Sequence, residues 1–302
     1  MTYKEFITKS INSLSEIYSI SESKAIAVRV LTHYLEITDY EYMIEPNTII
    51  PKSHLVKLQE AVDELMNNRP VQYVLGYEEF AGHRFVVNEN VLIPRPETEE
   101  LYRMIVKKWG ADKYQELKIL DACTGSGCLA YSLAVDFPRA NVMACDLSDG
   151  ALKVASSQEI FVDIKKSKSL ENKPLFFKWD ILSGVPEGKD LESVPDLEGL
   201  DIIVSNPPYV CESERDFMSD NVLNYEPDMA LFVPDNDPLR FYKALALWAS
   251  ELLRSGGMAF FEINEAYSRE TVELFESYGF SDVETIDDIH NKPRFVSFTK
   301  WF

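Results

Sequence analysis

Positive charge and paired cysteine are both scarce in this chain, and each scarcity closes off a class of function. Lysine and arginine number 30 against 50 aspartates and glutamates, a formal net charge of −20. Proteins that hold nucleic acid through its phosphates need a basic footprint, so nucleic acid is not the expected partner. An acidic body favours a basic protein partner by steering, or serves solubility alone. The four cysteines, Cys123, Cys128, Cys145 and Cys211, form no CxxC pair and no zinc spacing, so neither a metal site nor a disulfide framework is expected. Three of them lie in or beside apolar runs, where cysteine behaves as a small hydrophobe, and they read as reduced cytosolic thiols. No apolar run approaches the roughly 18–20 residues that span a bilayer. Met1 to Phe6 lacks a basic region followed by an apolar one, so no secretory signal and no membrane partner are expected, and the chain reads as cytoplasmic.

What is present is a hydrophobic content of 46% over 302 residues, enough for a large core in one or about two domains. Residues 1–70 carry helical spacing. Glu5 to Ile17 gives a first helix; Ser21 is placed as the N-cap of a second, with Ile26, Val30, Leu31, Tyr34 and Leu35 on one face. Pro51 starts a third, faced by Leu55, Leu58, Val62 and Leu65, and Asn67 to Pro70 ends it. Residues 71–96 change character: Val71 to Gly76 and Phe80 to Val87 read as short strands around a glycine turn, a hairpin linker. The stiff Leu92-Ile93-Pro94-Arg95-Pro96 segment then leads into a helix from about Glu97. Arg95 and Glu97 have two readings of equal weight, a wall of the binding channel or a rigid start to that helix.

From 97 to 302 strands alternate with helices. The strands are expected at Lys118–Ala122, Asn141–Cys145, Leu175–Lys178, Ile202–Ser205, Met258–Ile263, Val283–Ile286 and Phe295–Thr299. The helices are expected at Gly127–Asp136, Asp149–Val162, Pro238–Ser255 and Ser268–Tyr278. Such alternation predicts an α/β fold with a mainly parallel, doubly wound sheet. Lys165 to Lys168 and the acidic Glu187 to Glu198 read as solvated loops.

Two strand ends carry the chemistry. After Ile119-Leu120-Asp121-Ala122 comes Cys123-Thr124-Gly125-Ser126-Gly127, a strand, glycine turn and helix start that lets backbone approach a ligand. Asp146 ends the next strand, nineteen residues past Gly127, where its carboxylate can accept ribose hydroxyls. The pattern fits a nucleoside cofactor, with NAD and S-adenosylmethionine both open. The second strand end decides between them. Ser205-Asn206-Pro207-Pro208-Tyr209 follows the apolar run Ile202-Ile203-Val204. The two prolines cannot donate to a ladder, so the chain stiffens there and nearby carbonyls stay free. Asn206 offers an acceptor and a donor, and Tyr209 a flat face. Together they suit a planar NH2 group that must be positioned before it reacts. A methyltransferase needs such a receptor and an NAD enzyme does not.

These residues resemble the amino-methyltransferases, and in one branch the resemblance spans nearly the whole chain. Pro70-Val71-Gln72-Tyr73-Val74-Leu75-Gly76, Phe80, Gly82, Val91-Leu92-Ile93-Pro94-Arg95-Pro96-Glu97-Thr98-Glu99, Tyr225-Glu226-Pro227, Ala230-Leu231 and Tyr242 are similar to the PrmC/HemK family of peptide chain release factor N5-glutamine methyltransferases. The resemblance implies a Rossmann-like class I methyltransferase of seven strands at 97–302, a hairpin linker at 71–96 and a helical substrate-recognition domain at 1–70. It implies S-adenosylmethionine as cofactor, held by Cys123, Thr124, Gly125, Ser126, Gly127, Asp146, Asp180, Ile181 and Asn206. Asn206, Pro207, Pro208 and Tyr209 would be catalytic, with the Asn206 oxygen and the Pro207 carbonyl accepting the two amide hydrogens. The partner would be a class I release factor, methylated on the glutamine of its Gly-Gly-Gln loop by a monomer. A ribosomal-protein glutamine, an adenine-N6 nucleic-acid substrate and a scaffold without turnover are the rivals. The chain departs from the family at Cys123 (usually glycine), at Ile181 (often aromatic), at Val233-Pro234 (commonly Gly-Gly) and at Asn291 to Arg294.

Overall fold

The computed structural model describes residues 1–112, 114–163 and 168–302. The chain folds into two units, Met1–Tyr77 with Ser219–Tyr225, and Glu78–Met218 with Glu226–Phe302.

In the first unit the helices are α1 (Tyr3–Leu14), α2 (Ile20–Leu35), α3 (Asp39–Ile44), α4 (Lys52–Met66) and α5 (Val71–Leu75). Each of the first three starts at a hydroxyl cap. Thr2 and Thr38 form capping boxes with Glu5 and Glu41, satisfying helix N–H groups that have no intrahelical partner. The cap of α2 is Ser19, not Ser21: its Oγ accepts from the Glu22 N–H. α1 stops at Leu14 rather than running to Ile17, because the Ser15 hydroxyl turns back onto the Ile11 carbonyl. Val71–Leu75 is a helical turn and not a strand. Pro70 precedes it, and Gly76, at φ +79°, closes it by donating to the Gln72 carbonyl. Leu14, Val30, Leu31, Leu58, Leu65 and Leu75 meet in its core. Residues 219–225 join this unit, with the Tyr225 hydroxyl donating to the Asn67 carbonyl at 2.7 Å.

The second unit opens at Glu78, inside the hairpin strand β1 (Tyr77–Phe80), followed by β2 (His83–Val86) and α6 (Pro96–Trp109). After that come β3 (Lys118–Ala122), α7 (Cys128–Asp136), β4 (Asn141–Asp146), α8 (Asp149–Ser156), the short pair β5 (Phe161–Asp163) and β6 (Lys168–Ser169), and β7 (Leu175–Lys178). The remainder is β8 (Leu200–Ser205), the short β9 (Val210–Cys211), α9 (Asp220–Leu223, in the first unit), β10 (Phe232–Val233), α10 (Arg240–Leu252), β11 (Leu253–Glu262), α11 (Ser268–Ser277), β12 (Ser281–Asp287) and β13 (Pro293–Thr299). All seven expected strands are present. Two expected helices are shorter than their periodicity suggested. α8 ends where the Ser157 hydroxyl caps the Val154 carbonyl, and 161–163 pair as strand instead. α10 ends at Leu252 because Leu253 is extended and already pairs with Leu200. Within the acidic stretch, Gly188–Glu192 forms a 3-10 turn, and Asp196 pairs with Lys118 at 2.6 Å. Of the expected loop Lys165 to Lys168, Lys165 to Ser167 lie outside the described residues and Lys168 is in a strand, paired with Asp163.

The seven-stranded sheet runs β12-β13-β11-β8-β3-β4-β7. β8, β3, β4, β7 and β11 pair in parallel, and β13 is antiparallel to both its neighbours. Its central strands are buried on both faces, and alternate residues enter opposite cores. Ile119, Ile202 and Val204 pack with α6, α7 and the hairpin's Phe80 and Phe85; Leu120 and Ile203 pack with Tyr242, Trp248 and Phe275. Each such fully buried aliphatic contributes about 1.5–3 kcal/mol by transfer from water. Strand order reverses between β3 and β8, so their carboxyl ends flank the crevice where doubly wound sheets bind ligands.

Candidate active site

Ala122 and Ser205 are register partners at the ends of β3 and β8, and the Ser205 hydroxyl donates to the Ala122 carbonyl at 2.6 Å. A cavity of about 310 Å³ opens beyond them. Its wall includes Cys123, Thr124, Gly125 and Ser126 from the glycine loop, Asp146 from β4, Asp180 and Ile181, and Asn206 and Pro208. Gly127, Pro207 and Tyr209 lie off that wall.

The glycine loop is built from backbone constraints. Cys123, Gly125 and Gly127 all have positive φ, at +61°, +55° and +81°. At Gly127 space adds a second constraint: a Cβ there would lie 3.2 Å from the Ala155 side chain and 3.3 Å from that of Phe176. At Cys123 a side chain occupies the left-handed region, which costs an ordinary residue about 1–2 kcal/mol. Asp146 fixes the loop: its Oδ2 accepts from the Gly125 N–H and its Oδ1 from the Ser148 N–H, both at 2.9 Å. Burial pushes its carboxyl up, and these two N–H groups oppose that. Gln158 secures the loop from outside, its Nε2 donating to the Ser126 carbonyl and its Oε1 accepting from the Val86 N–H. Under the loop, Asp121 is wholly buried. Its Oδ2 accepts from the Thr124 hydroxyl at 2.6 Å, while Oδ1 has no hydrogen-bond partner. Burial raises its pKa to about 7.

At the β8 end the side chains form one hydrogen-bond chain. Asn206 Nδ2 donates to Thr98 Oγ1 at 2.9 Å. Thr98 Oγ1 donates to Glu262 Oε2 at 2.9 Å, and Tyr209 OH donates to Glu262 Oε1 at 2.8 Å. Glu262 ends β11 and is 1% exposed; burial pushes its pKa up, with the two hydroxyls and Arg294 opposing. The backbone is held too: Asn264 Nδ2 donates to the Tyr209 carbonyl at 3.1 Å. Thr98 and Glu262 were not singled out from the sequence. The available signal was a lone carboxylate in the otherwise apolar run Phe260-Phe261-Glu262-Ile263, since a buried charge in a strand needs partners.

A further wall comes from Leu92 to Arg95. Glu226, itself buried, accepts from the Ile93 N–H at 3.1 Å and from Arg95 Nη2 at 2.6 Å. Arg95 thus lines the cavity and is also the residue before α6, so both readings of it describe the same geometry; Glu97 lies off the wall. Trp179 lines the cavity beside Ile181 and Leu182, its indole N–H committed to the Gly184 carbonyl. It supplies an aromatic wall where Ile181 does not.

The site can be set beside known proteins. A family model described as the PrmC N-terminal domain matches residues 5–76. A solved structure, the release factor-specific protein-(glutamine-N5) methyltransferase of Alicyclobacillus acidocaldarius, is 23% identical, covering 72% of this chain and 100% of that one at a TM-score of 0.40. A release factor glutamine methyltransferase of Bacteroides thetaiotaomicron is 39% identical over 94% of this chain and 95% of its own length. The protein of the same name from Flavobacterium psychrophilum is 36% identical over 98% of both. By those identities, held across nearly entire lengths, the chain belongs to the release factor glutamine methyltransferase family.

Proposed function

We propose that this chain methylates the N5 amide of the glutamine in the Gly-Gly-Gln loop of class I peptide chain release factors, with S-adenosylmethionine as donor. The observation that carries the reading is the state of Asn206. It stands on the cavity wall with Nδ2 already committed to Thr98, which leaves Oδ1 as an acceptor for a planar NH2 group.

The cavity suits a nucleoside with an amino-acid tail. Each Asp146 oxygen holds one backbone N–H and keeps lone pairs for ribose hydroxyls. Trp179, Ile181 and Leu182 offer an apolar wall for a base. Backbone N–H groups of the glycine loop and the start of α7, where Cys128 and Leu129 line the cavity, favour a carboxylate. When bound, S-adenosylmethionine supplies a sulfonium methyl, which leaves sulfur as the amide nitrogen bonds to it. The protein's own part is positional. Asn206 Oδ1, on the cavity wall, accepts one amide hydrogen and turns the nitrogen lone pair toward the methyl; the family resemblance, rather than the cavity lining, assigns the second hydrogen to the Pro207 carbonyl. Positioning of this kind lowers a barrier by about 7–11 kcal/mol at its upper limit. The methylated amide is acidic enough to lose its proton to water, so no strong base is needed.

In this reading residues 1–70 recognise the release factor, 71–96 link, and 97–302 carry the chemistry of a cytoplasmic monomer. The net charge of −20 supports a protein substrate over a nucleic acid. Among the described residues no helix is long and apolar enough to cross a membrane. The test is to incubate the chain with labelled S-adenosylmethionine and, in parallel, purified release factors, ribosomes and DNA. Mass spectrometry should find label on a release-factor glutamine; label on DNA with none on release factor overturns the assignment.

A further inference from the structure

We infer that an ionised Glu262, acting through the Thr98 hydroxyl, sets which end of the Asn206 amide faces the cavity. The inference deepens the proposed function, since it names a positioning residue for the same amide receptor.

The argument is one of hydrogen-bond polarity. An ionised carboxylate has no proton to give, so both Glu262 oxygens can only accept. They face the Thr98 and Tyr209 hydroxyls at 2.9 and 2.8 Å, and each hydroxyl must therefore spend its single proton on Glu262. Thr98 Oγ1 then has only lone pairs left for Asn206, 2.9 Å away. It can be met only by the NH2 end of the amide, so Oδ1 is turned outward. Asn206 and Thr98 are 108 residues apart and Thr98 and Glu262 164 apart, so the fold assembles this chain from three separate elements.

A proton on Glu262 Oε2 reverses the chain. The acid O–H then points at Thr98 Oγ1, the Thr98 proton turns to Asn206, and the amide must offer Oδ1 inward and NH2 outward. Two NH2 groups then face each other across the cavity, and the receptor loses its affinity for an amide hydrogen. Burial pushes the Glu262 pKa up from 4.5, so the working form is present at higher pH and is lost as pH falls through that raised value. The other groups facing Glu262 are Tyr209, Tyr242 from α10, Arg294 from β13 and Glu97 from α6. Both tyrosines are pushed up by burial, and Arg294 is raised by its acidic neighbours against its own burial. The two tyrosines and Arg294 do not titrate on the acid side, and the Glu262→Gln variant below separates Glu262 from Glu97.

Thr98→Val keeps the side-chain shape and removes the hydroxyl. It should lower kcat about 100-fold, the loss expected of a misplaced reactant, with KM for S-adenosylmethionine unchanged. Thr98→Ser should restore most of the activity. Glu262→Gln should flatten the acid limb of the kcat–pH profile. The Asn206 side-chain 15N–1H resonances, read without any substrate, should move through the same pH midpoint in the wild type and stand still in Thr98→Val. A purely structural network would lower the melting temperature of these variants while leaving kcat, the acid limb and the Asn206 titration as in the wild type, and that result overturns the inference. If the wild type methylates no glutamine, the proposed function fails, while the resonance titration still decides this inference.

Discussion

The ends of β3 and β8 lie side by side and solve opposite problems. At β3 the loop carries a strained residue and a buried orphan: Cys123 sits at φ +61° and Asp121 keeps one oxygen without a hydrogen-bond partner. At β8 no polar side-chain atom of Asn206, Thr98, Tyr209 or Glu262 is buried without a partner. Asp121 lies beneath the loop and off the cavity wall, so its unsatisfied oxygen is a cost of building the loop rather than a contact held for a ligand. A receptor that must aim a single atom has its own groups locked beforehand, which is what preorganisation requires. The two ends should therefore fail differently when cut.

The sharpest break is Asn206→Ala. Losing the acceptor should lower kcat by about 10²–10³-fold, the cost of removing one preorganised polar group, while S-adenosylmethionine affinity measured by titration calorimetry stays near wild type. A variant that keeps most of its turnover sinks the receptor model. Asp146→Ala should do the reverse. It removes the acceptor of the Gly125 and Ser148 N–H groups, and hydrogen bonds to a charged group are worth about 1.5–3 kcal/mol. Cofactor affinity should fall by about 10–100-fold, with kcat at saturation little changed. Equal effects of both variants on kcat and on affinity would erase the distinction between the two ends.

The sequence shows the β3 end better than the β8 end, for a physical reason. A glycine turn after an apolar strand is local, so Gly125, Gly127 and Asp146 can be read within some twenty-odd residues. The Asn-Pro-Pro-Tyr motif is local as well. Its support is not: Thr98 and Glu262 reach Asn206 and Tyr209 only because β11 pairs with β8 and α6 packs against β11. Tertiary context also overruled local pattern at Val71 to Gly76. Val71, Tyr73 and Val74 favour strand, yet Pro70 and Gly76 bracket one helical turn whose Leu75 packs into the bundle core. The doubly wound sheet was legible because its central strands are buried on both faces and read as continuous apolar runs.

The β3 end makes a pH prediction of its own. Asp121 has its pKa raised from 3.8 to about 7 by burial, so the folded state holds a proton that the unfolded state releases near 3.8. The stability this confers is complete below 3.8 and is lost as pH rises through about 7. Asn at this position is neutral throughout. Between pH 5 and pH 7 the stability of Asp121→Asn, measured by urea denaturation, should therefore gain about 2 kcal/mol relative to wild type. A constant difference across that range would show that the orphan oxygen has a partner after all.

The smallest expected effect tests the strain itself. Cys123→Gly removes a side chain from the left-handed region, relieving about 1–2 kcal/mol. It also frees the unfolded chain, at about 0.4–1 kcal/mol, and gives up the packing of Cys123 against the Leu120 and Ala122 core. These nearly cancel, so its stability should lie within about 1 kcal/mol of wild type. Cys123→Val separates the terms. A β-branched residue is a genuine outlier at positive φ, and the valine variant should be less stable than the glycine variant by more than about 1 kcal/mol. If valine matches glycine, the loop relaxes without cost at Cys123, and the contrast between a strained β3 end and a settled β8 end loses its energetic basis.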